Sequence, residues 1–471
     1  MNPLYVSNQE FRSLAARVMS IAADFYEQLD NMRAYPRTSG ARTMEAFDAP
    51  LSQEGLHDAA LDALSSVVEM ARAPTPRFFG YVLGSGEPVA ALADLLASVL
   101  NQNVTAWRSA PAAVSIERQV VRWIAEALGC TGLTGSLCGG GSAANLMALA
   151  MAREAKLPAN DSGARPGIVY ASSEVHMSIV KAVALLGLGR SNLRVIPTDE
   201  NFRMCTSELE RAIAEDCAAG RELIAVVASA GTVNTGAIDP LEEIASICRK
   251  YALWLHIDGA YGAPGALVIA EKFRGLSQAN SLSIDLHKWL YQPVDCGMLL
   301  FKDRAIARAA FSHTGEYARV LDSDPVEGFA FFEESLELSR RFRALKIWLS
   351  LRYHGLQAFR DAIRADLGHA KQLADFVRGS AELELLAPIE LSAVCFRYRI
   401  TQGGLDLNEL NYAILRRVVE NGRVYLSNAL IHGNFALRAC FVNHRTQDAD
   451  VAEIVSEVLA AARSIIAERD Y

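Results

Sequence analysis

Residues 223–258 read LIAVVASAGTVNTGAIDPLEEIASICRKYALWLHID, and this stretch decides the fold. Two runs that are apolar on both faces, LIAVVAS and LWLHID, are separated by a segment of helix length. Strands that are buried on both faces and joined through helices belong to a sheet covered on both sides. Similar runs are IVYAS (168–172), LRVIP (193–197), SLSID (281–285) and GMLLF (297–301). The sequence therefore predicts an α/β protein with a large parallel or mixed sheet.

Weaker patterns flank this predicted sheet. Apolar residues repeat at helical spacing over 8–31, and a second helical stretch covers about 53–72. These helices are too few to bury a core of their own, so we expect them to pack on the main domain or on another subunit. Residues 371–471 combine helices with the short strands SAVCFRYRI and FALRACFV. The predicted parts are an N-terminal helical dimerisation segment (1–75), a large domain (76–355) and a small C-terminal α+β domain (356–471).

Composition narrows the class of protein. The 471 residues carry a formal net charge of −8 and 51% of them are hydrophobic, so a large core is expected rather than disorder. The acidic surplus argues against a nucleic-acid or anionic-membrane partner, and no apolar run approaches the roughly 20 residues that span a bilayer. The amino-terminal stretch MNPLYVSNQEFRSLAARVMS lacks the pattern of a secretory signal. We expect a cytoplasmic protein.

Metal chemistry is not expected. The eight cysteines include no C-x-x-C pair, and most of them lie in apolar stretches. The nine histidines show no H-E-x-x-H spacing. This pattern is typical of buried, reduced thiols rather than of a zinc site or a disulfide framework.

A lysine follows the short strand in SLSIDLHKWLYQPVDCGMLLF (281–301), where His287 precedes Lys288 and Trp289 comes after it. A lysine that is partly buried is costly unless it loses its charge, as it does in a Schiff base. From this segment alone, an ordinary surface lysine at the end of a strand is the simpler interpretation. The other segments change that interpretation.

An acidic residue ends a buried strand in LWLHIDGAYG (253–262). Strand alternation places His256 and Asp258 on one face, with Asp258 at the carboxyl end, and the small Gly259 and Ala260 allow a flat group to approach. A buried acid needs a cationic or hydrogen-bonding partner. A pyridinium nitrogen is one such partner, and its protonation lets a pyridoxal ring accept electrons.

A glycine run opens a helix in CGGGSAANLMALAMAR (138–153). Backbone N–H groups at a helix start, together with the Ser142 hydroxyl, form an anion site. The spacing fits neither a P-loop nor G-x-G-x-x-G after a strand, and it misses the G-x-S-x-G elbow of serine hydrolases because Ala144 replaces the last glycine. We favour phosphate binding over a plain helix cap or a hydrolase nucleophile at Ser142.

Two further polar residues follow predicted strands. His176, in ASSEVHMSIVKA, begins a helix and can stack on a flat ring or move a proton, although a buried core histidine is the simpler alternative. Thr232 lies in a glycine-rich turn directly after a strand.

Together these segments resemble the group II pyridoxal-phosphate-dependent amino acid decarboxylases. The resemblance runs from RFFGYV through HMSIVKA, LWLHIDGAYG, DLHKWL and SRRFRALKIW to FALRACFVNHRT, and the His-Lys-Trp and His-x-Asp segments are jointly specific. It implies a fold-type I enzyme with pyridoxal 5′-phosphate as its cofactor. It also implies a homodimer whose active sites lie at the subunit interface.

The resemblance assigns roles to individual residues. It implies that Lys288 binds the cofactor covalently, Asp258 pairs with the pyridine nitrogen and His176 stacks on the ring. Asp285 takes the place of an asparagine in the family. The remaining positions that it implies contact the cofactor are Gly141, Ser142, Thr232, Ala260, Asp285 and His287.

The implied reaction is the decarboxylation of an L-amino acid, aromatic or related, to the amine and carbon dioxide. Counting back from Arg340, Phe331 stands where family decarboxylases carry a loop tyrosine that is thought to protonate the α-carbon. Aromatic aldehyde synthases of the family have phenylalanine there, so oxidative formation of an aldehyde is the alternative, with Tyr317 as a possible substitute for the loop tyrosine. A non-catalytic protein of this fold is disfavoured by the complete set of Lys288, Asp258 and His176.

Four residues are predicted to line the substrate pocket. The loop 73–88 contributes Phe79 and Tyr81, which suit either a pocket wall or an anchor of the loop to the core. Asn103 and Thr105 stand where aromatic decarboxylases have bulkier apolar residues, which predicts a roomier or more polar pocket.

Overall fold

The larger of two sheets forms the centre of the molecule in a computed structural model that describes residues 2, 4–51, 53–313, 324, 326–400 and 406–469. Its strand order is β1-β7-β6-β5-β4-β2-β3, in which β7 runs antiparallel to both neighbours and the remaining pairs are parallel. The strands are β1 (Thr134–Cys138), β2 (Ile168–Ser172), β3 (Leu193–Ile196), β4 (Leu223–Ser229), β5 (Trp254–Asp258), β6 (Ser281–Asp285) and β7 (Gly297–Phe301).

The six apolar runs predicted as strands are all confirmed, with bounds that differ by at most one residue. Strand β1 was missed because its sequence, TGSLC, contains small and polar residues and lies at the sheet edge. Successive side chains of the strands enter different cores: Val169 and Ala171 join one, and Ile168 and Tyr170 join the other. This alternation buries both faces of the sheet, as the apolar runs indicated.

Helices cover both faces of the sheet. None of the helices in the part of the chain that the structure describes is long and apolar enough to cross a membrane. The helices are α1 (Asn8–Gln28), α2 (Gly40–Phe47), α3 (Leu64–Met70), α4 (Pro88–Leu100), α5 (Pro111–Ala127), α6 (Gly141–Lys156), α7 (Met177–Leu185), α8 (Thr206–Ala218), α9 (Leu241–Lys250), α10 (Leu286–Trp289), α11 (Arg304–Phe311), α12 (Ala344–Gly379), α13 (Leu407–Asn421) and α14 (Asp448–Arg469).

A second, smaller sheet lies in the C-terminal part of the chain. Its antiparallel strands have the order β10-β11-β9-β8, and they share a core with α13, α14 and the end of α12. Helix α12 is interrupted at Gly355, whose φ of 75° is not helical, next to the predicted boundary at 356. The division into three domains stays a prediction. The strands of this sheet are β8 (Leu383–Leu385), β9 (Ala393–Tyr398), β10 (Ser427–Ile431) and β11 (Asn434–Cys440).

The N-terminal helices contribute almost nothing to these cores. No residue of α1, α2 or α3 is buried, and the stretch before α3 forms a 3₁₀ helix, His57–Ala63, where the sequence predicted one continuous helix. Helix α4 buries its alanines and exposes a row of larger residues. This exposed row, the α4 face, consists of Leu92, Leu95, Leu96, Val99 and Leu100.

Candidate active site

A pocket of about 390 Å³ opens at the carboxyl ends of β4, β5 and β6, next to the start of α6. Ligands bind at this edge in open α/β sheets, because the loops that follow the parallel strands converge there. The pocket brings together every residue that was predicted to contact the cofactor. These are Gly141, Ser142, His176, Thr232, Asp258, Ala260, Asp285, His287 and Lys288.

Lys288 lies in the single turn of α10, directly after β6. Its ammonium Nζ is 2.8 Å from Oδ2 of Asp285, the last residue of β6, and its side chain is 19% exposed. The other carboxylate oxygen of Asp285, Oδ1, is buried and has no hydrogen-bond partner among the described residues. Lys288 is therefore a mostly buried amine aimed into a pocket, and the interpretation as an ordinary surface lysine does not hold.

His287 lies between Asp285 and β7. Its Nε2 is 3.8 Å from Asp285 Oδ2, and its Nδ1 lies 3.2 Å from the backbone nitrogen of Cys296 and 3.1 Å from the Cys296 carbonyl oxygen. Burial lowers the pKa of His287, although Asp285 opposes this shift. The ring is therefore held as a neutral group at the pocket wall.

Asp258 forms a hydrogen-bonded network at the floor of the pocket. Asn145 donates from Nδ2 to Asp258 Oδ2 at 2.9 Å, and its Oδ1 lies 2.9 Å from His256 Nε2. Because an amide oxygen only accepts, His256 donates through Nε2. Burial lowers the pKa of His256 to about 4, so this histidine is neutral at neutral pH. The backbone N–H of Ala260 and the hydroxyl of Ser283 donate to Asp258 Oδ1, at 3.1 and 3.2 Å.

Asn145 was not predicted from the sequence. It is the polar residue in the apolar helical run AANLMALAMA, and it is 1% exposed. The available signal in the sequence was an amide side chain in an apolar helical run, because a buried amide needs hydrogen-bond partners for its polar atoms. Its second Nδ2 hydrogen bond reaches the hydroxyl of Ser178 at 2.9 Å, so Asn145 links both sides of the pocket.

His176 is the N-cap residue of α7 and faces the same pocket. Its Nδ1 lies 2.8 Å from the Ser178 hydroxyl and accepts from the Ser178 backbone N–H at 3.3 Å, which leaves the hydrogen on Nε2. Burial lowers the pKa of His176, and Asp258 partly opposes the shift. A neutral, flat imidazole that lines a pocket suits stacking on a ring better than a role in the core.

The start of α6 leaves space for an anion. A Cβ added to Gly141 would lie 2.9 Å from Asp285 Oδ2 and 3.0 Å from the Ala260 Cβ, so only glycine fits there. Gly140 has a φ of 137°, which L-residues rarely adopt. Ser142 is exposed at the pocket, and no histidine among the described residues is hydrogen-bonded to its hydroxyl, as a serine nucleophile would require. The helix start is therefore better suited to a phosphate.

These residues fit pyridoxal phosphate. The backbone N–H groups in the first turn of α6 could bind the phosphate, and Asp258 would supply a buried carboxylate for the ring nitrogen. Lys288 would supply the amine that reacts with the aldehyde of the cofactor.

The residues predicted for the substrate wall are not part of this pocket. Phe79 is a core residue, which corrects its assignment: it is 0% exposed and packs on Phe441, 5.1 Å away, inside the C-terminal core. The ring is buried because the backbone of Phe79 is hydrogen-bonded to Tyr425 and Cys440, which ties this part of the loop to the C-terminal part of the chain. Tyr81 is half exposed, and its carbonyl oxygen accepts from Arg438 Nη1 at 2.8 Å.

Asn103, Thr105 and Phe331 form a separate group, which we call the 103–331 cluster. The Thr105 carbonyl oxygen accepts from the Phe331 backbone N–H at 2.8 Å, and Asn103 Oδ1 accepts from the Arg340 backbone N–H at 2.9 Å. Phe331 is 1% exposed, and the Arg340 guanidinium lies 4.2 Å from its ring centroid. Within one chain, Phe331 is thus a buried residue outside the pocket. Tyr317 lies outside the described residues.

Arg438 is a second residue that the sequence analysis missed. It is 2% exposed, its Nε donates to the Asn234 carbonyl oxygen at 3.0 Å, and its Nη2 is buried without a partner in the described ranges. Asn234 follows the turn of Thr232 and Val233 that lines the pocket. The signal was an arginine within the apolar strand FALRACFV.

Comparisons with known proteins agree with this chemistry. A family model described as the pyridoxal-dependent decarboxylase conserved domain matches residues 42–399. An aromatic-L-amino-acid decarboxylase from Bacillus atrophaeus is 36% identical over 397 residues, covering 83% of this chain and 82% of that protein. A phenylacetaldehyde synthase from a Rosa hybrid cultivar is 28% identical over 483 residues, covering 97% and 95%.

A solved structure is also similar over nearly the whole length. The crystal structure of Oryza sativa TDC with PLP and tryptamine has a TM-score of 0.91 and 27% sequence identity, and the match covers 99% of both chains. The predicted fold class, cofactor and enzyme class are thereby confirmed. The chain belongs to the pyridoxal-dependent decarboxylase family, whose members are carboxy-lyases that use pyridoxal phosphate.

Proposed function

We propose that this enzyme decarboxylates an aromatic or related L-amino acid to the amine and carbon dioxide. The observation that carries the proposal is the convergence of Lys288, Asp258 and His176 on one pocket. The similarity to an aromatic-L-amino-acid decarboxylase supports this substrate class.

Each residue of the pocket has a distinct task in this reaction. When bound, pyridoxal phosphate withdraws electrons from the bond that breaks at the substrate α-carbon. Asp258, fixed by Asn145 and Ser283, keeps the ring nitrogen protonated, while the start of α6 binds the phosphate. Lys288 would hold the cofactor through its side-chain amine, and the same amine would hold or move a proton near the substrate α-carbon.

Arg438 suits the carboxylate end of the substrate. Its buried Nη2 lacks a partner in the described part of the molecule, and a guanidinium can donate two parallel hydrogen bonds to a carboxylate. Its hydrogen bonds to the carbonyl oxygens of Asn234 and Tyr81, and a longer one to the Ser427 hydroxyl, fix the direction of the guanidinium.

Formation of an aldehyde is the alternative, because Phe331, counted back from Arg340, stands where the resemblance places the loop tyrosine. The similarity to a phenylacetaldehyde synthase supports it. The two reactions differ in their products, since the oxidative reaction consumes oxygen and releases ammonia and peroxide. Carbon dioxide release and oxygen uptake, measured together over a panel of common amino acids, distinguish them and identify the substrate.

We further propose a homodimer in which each pocket is completed by the partner. Within one chain the 103–331 cluster does not reach the pocket, so these residues would serve the site of a second copy. The α4 face and the unburied helices α1, α2 and α3 offer apolar surface for that contact. The cytoplasmic location stays a prediction.

The direct test of the proposed activity compares the wild-type enzyme with Lys288→Ala. We expect the wild type to bind cofactor with a visible absorption band and to release carbon dioxide, and the variant to lose both. A wild-type protein that is folded but neither binds the cofactor nor releases carbon dioxide from any amino acid would contradict the proposal.

A further inference from the structure

The turn that follows Lys288 has an unfavourable backbone conformation. Helix α10, Leu286–Trp289, is one turn long, and Tyr291 just after it has a φ of 53°. For a residue with a Cβ this left-handed region costs roughly 1–2 kcal/mol, so other contacts must hold it in place.

Asp366 of α12 supplies those contacts. One oxygen, Oδ2, accepts hydrogen bonds from Trp289 Nε1 at 2.9 Å and from the Tyr291 hydroxyl at 2.7 Å. Asp366, Trp289 and Tyr291 are all at most 2% exposed. Trp289 is the neighbour of Lys288 in the sequence, so the two donors belong to the turn that carries the amine.

This carboxylate is costly to bury. No basic side chain in the described ranges forms an ion pair with Asp366, and burial raises its pKa to about 7. Its surroundings are Trp289, Tyr291, the backbone of Asn443 and the thiol of Cys440. An apolar side chain would avoid this cost but would leave the buried Trp289 Nε1–H and the Tyr291 hydroxyl without their acceptor. The buried carboxylate is therefore matched to the two donors of the turn that follows Lys288.

Asp366 also lies where the two cores of the molecule meet. On α12, Ile363 belongs to the core of the large sheet and Ala370 to the core of the small sheet. The ring of Trp289 lies 5.5 Å from that of Tyr261, which lines the active-site pocket. The carboxylate thus connects the lysine turn to a helix that is anchored in both cores.

We propose that Asp366 is a positioning residue for Lys288, because by holding Trp289 and Tyr291 it fixes the turn that presents the amine to the pocket. The inference rests on the proposed role of Lys288. Asp285 contacts the end of the lysine side chain, whereas Asp366 accepts hydrogen bonds from the side chains of Trp289 and Tyr291, which follow Lys288 in the same turn.

The test compares Asp366→Leu and Asp366→Asn with Asp361→Asn, an exposed aspartate on the same helix. We expect Asp366→Leu to lower kcat by about 10- to 100-fold with little change in KM, because small displacements of a reacting group are costly. In the cofactor-free protein, amide hydrogen exchange over 286–292 should accelerate. Asp366→Asn, which keeps an acceptor oxygen, should restore most of both, and Asp361→Asn should match the wild type.

Three results would overturn the inference. The first is Asp366→Leu with a lower melting temperature but unchanged kcat and unchanged exchange over 286–292, which would show a merely structural role. The second is Asp366→Asn with no recovery relative to Asp366→Leu. If Asp366→Leu does not fold, Tyr291→Phe replaces it, because this change removes one of the two donors to Asp366. Unchanged kcat and unchanged exchange over 286–292 in that variant are the third result. Failure of the proposed function is distinct, because then Lys288→Ala would keep the cofactor absorption.

Discussion

The cofactor pocket and the 103–331 cluster differ in how complete they are within one chain. In the pocket, lysine, acids, histidines and glycines from separate strands and helices line one cavity, where Lys288 contacts Asp285. In the cluster, Asn103, Thr105 and Phe331 contact Arg340 and one another but no cofactor residue. In the proposed homodimer, one chain would supply the cofactor pocket, whereas substrate selection would involve residues of two chains.

The largest effect is expected from Lys288→Ala. Since Lys288 supplies the covalent link and the proton transfers, its loss should lower kcat by at least about 10³-fold. Steady-state carbon dioxide release measures this effect. The control is Lys302→Ala, an exposed lysine just after β7, which should retain full activity. Activity retained by Lys288→Ala would show that the reaction does not depend on Lys288 or on its place in this pocket.

Asp258→Asn should be the next most damaging change within the pocket. A neutral amide does not stabilise a protonated ring nitrogen, so kcat should fall by about 10²-fold or more while the cofactor remains bound. Ser283→Ala removes one hydrogen bond to the same carboxylate and should cost far less. Equal losses in the two variants would show that the charge of Asp258 is unimportant.

Charged substitutions on the α4 face test the proposal that two chains contact each other there. Leu92→Glu combined with Leu96→Glu should convert the proposed dimer to a monomer, as measured by light scattering. Activity should be lost even though every residue that lines the cofactor pocket is unchanged. Both leucines are 49% exposed in one chain. Leu185→Glu, at the exposed end of α7, should change neither property. An active monomer would contradict the shared site.

Phe331→Tyr tests the observed position of the ring. A hydroxyl placed in this core without a partner should destabilise the protein by about 1–3 kcal/mol in denaturant unfolding. The adjacent Phe332 is less buried, so Phe332→Tyr is the matched control and should be milder. Oxygen uptake by the same variant reports on the aldehyde route. Equal stability of the two variants would show that Phe331 is not a core residue in solution.

The smallest effect concerns His256. Its folded-state pKa of about 4 lies below the usual value of a histidine, so the unfolded chain binds the extra proton first as the pH falls. Stability should therefore decrease as the pH falls from about 6.5 towards 4, and His256→Gln should weaken this dependence. Urea unfolding across that range measures it. An unchanged slope in the variant would assign the dependence to other groups.

The fold, and the convergence of the predicted cofactor residues on one pocket, could be predicted because their signals are local. Apolar runs such as LIAVVAS can be recognised as strands from the local sequence alone. Asp258 ends such a run and Lys288 follows another, at the edge of the sheet where the carboxyl ends of the parallel strands meet. Asn145 and Arg438 could not be placed, because their partners are distant in the sequence and only the folded chain shows which polar atoms need them.

The error at Phe79 has a related cause. Aromatic residues in a glycine- and proline-containing loop suit a pocket wall and a buried anchor equally well, and the sequence does not reveal that β11 runs beside this loop. The burial of Phe331 likewise depends on tertiary contacts. Its backbone is hydrogen-bonded to Thr105, which is distant in the sequence, and its ring packs under the guanidinium of Arg340.

Borohydride reduction of the cofactor-bound enzyme, followed by peptide mass analysis, tests the central claim most directly. The account predicts that the reduced cofactor is attached to the peptide containing Lys288 and to no other lysine. Attachment at a different lysine, or a protein that binds cofactor without any reducible link, would contradict it.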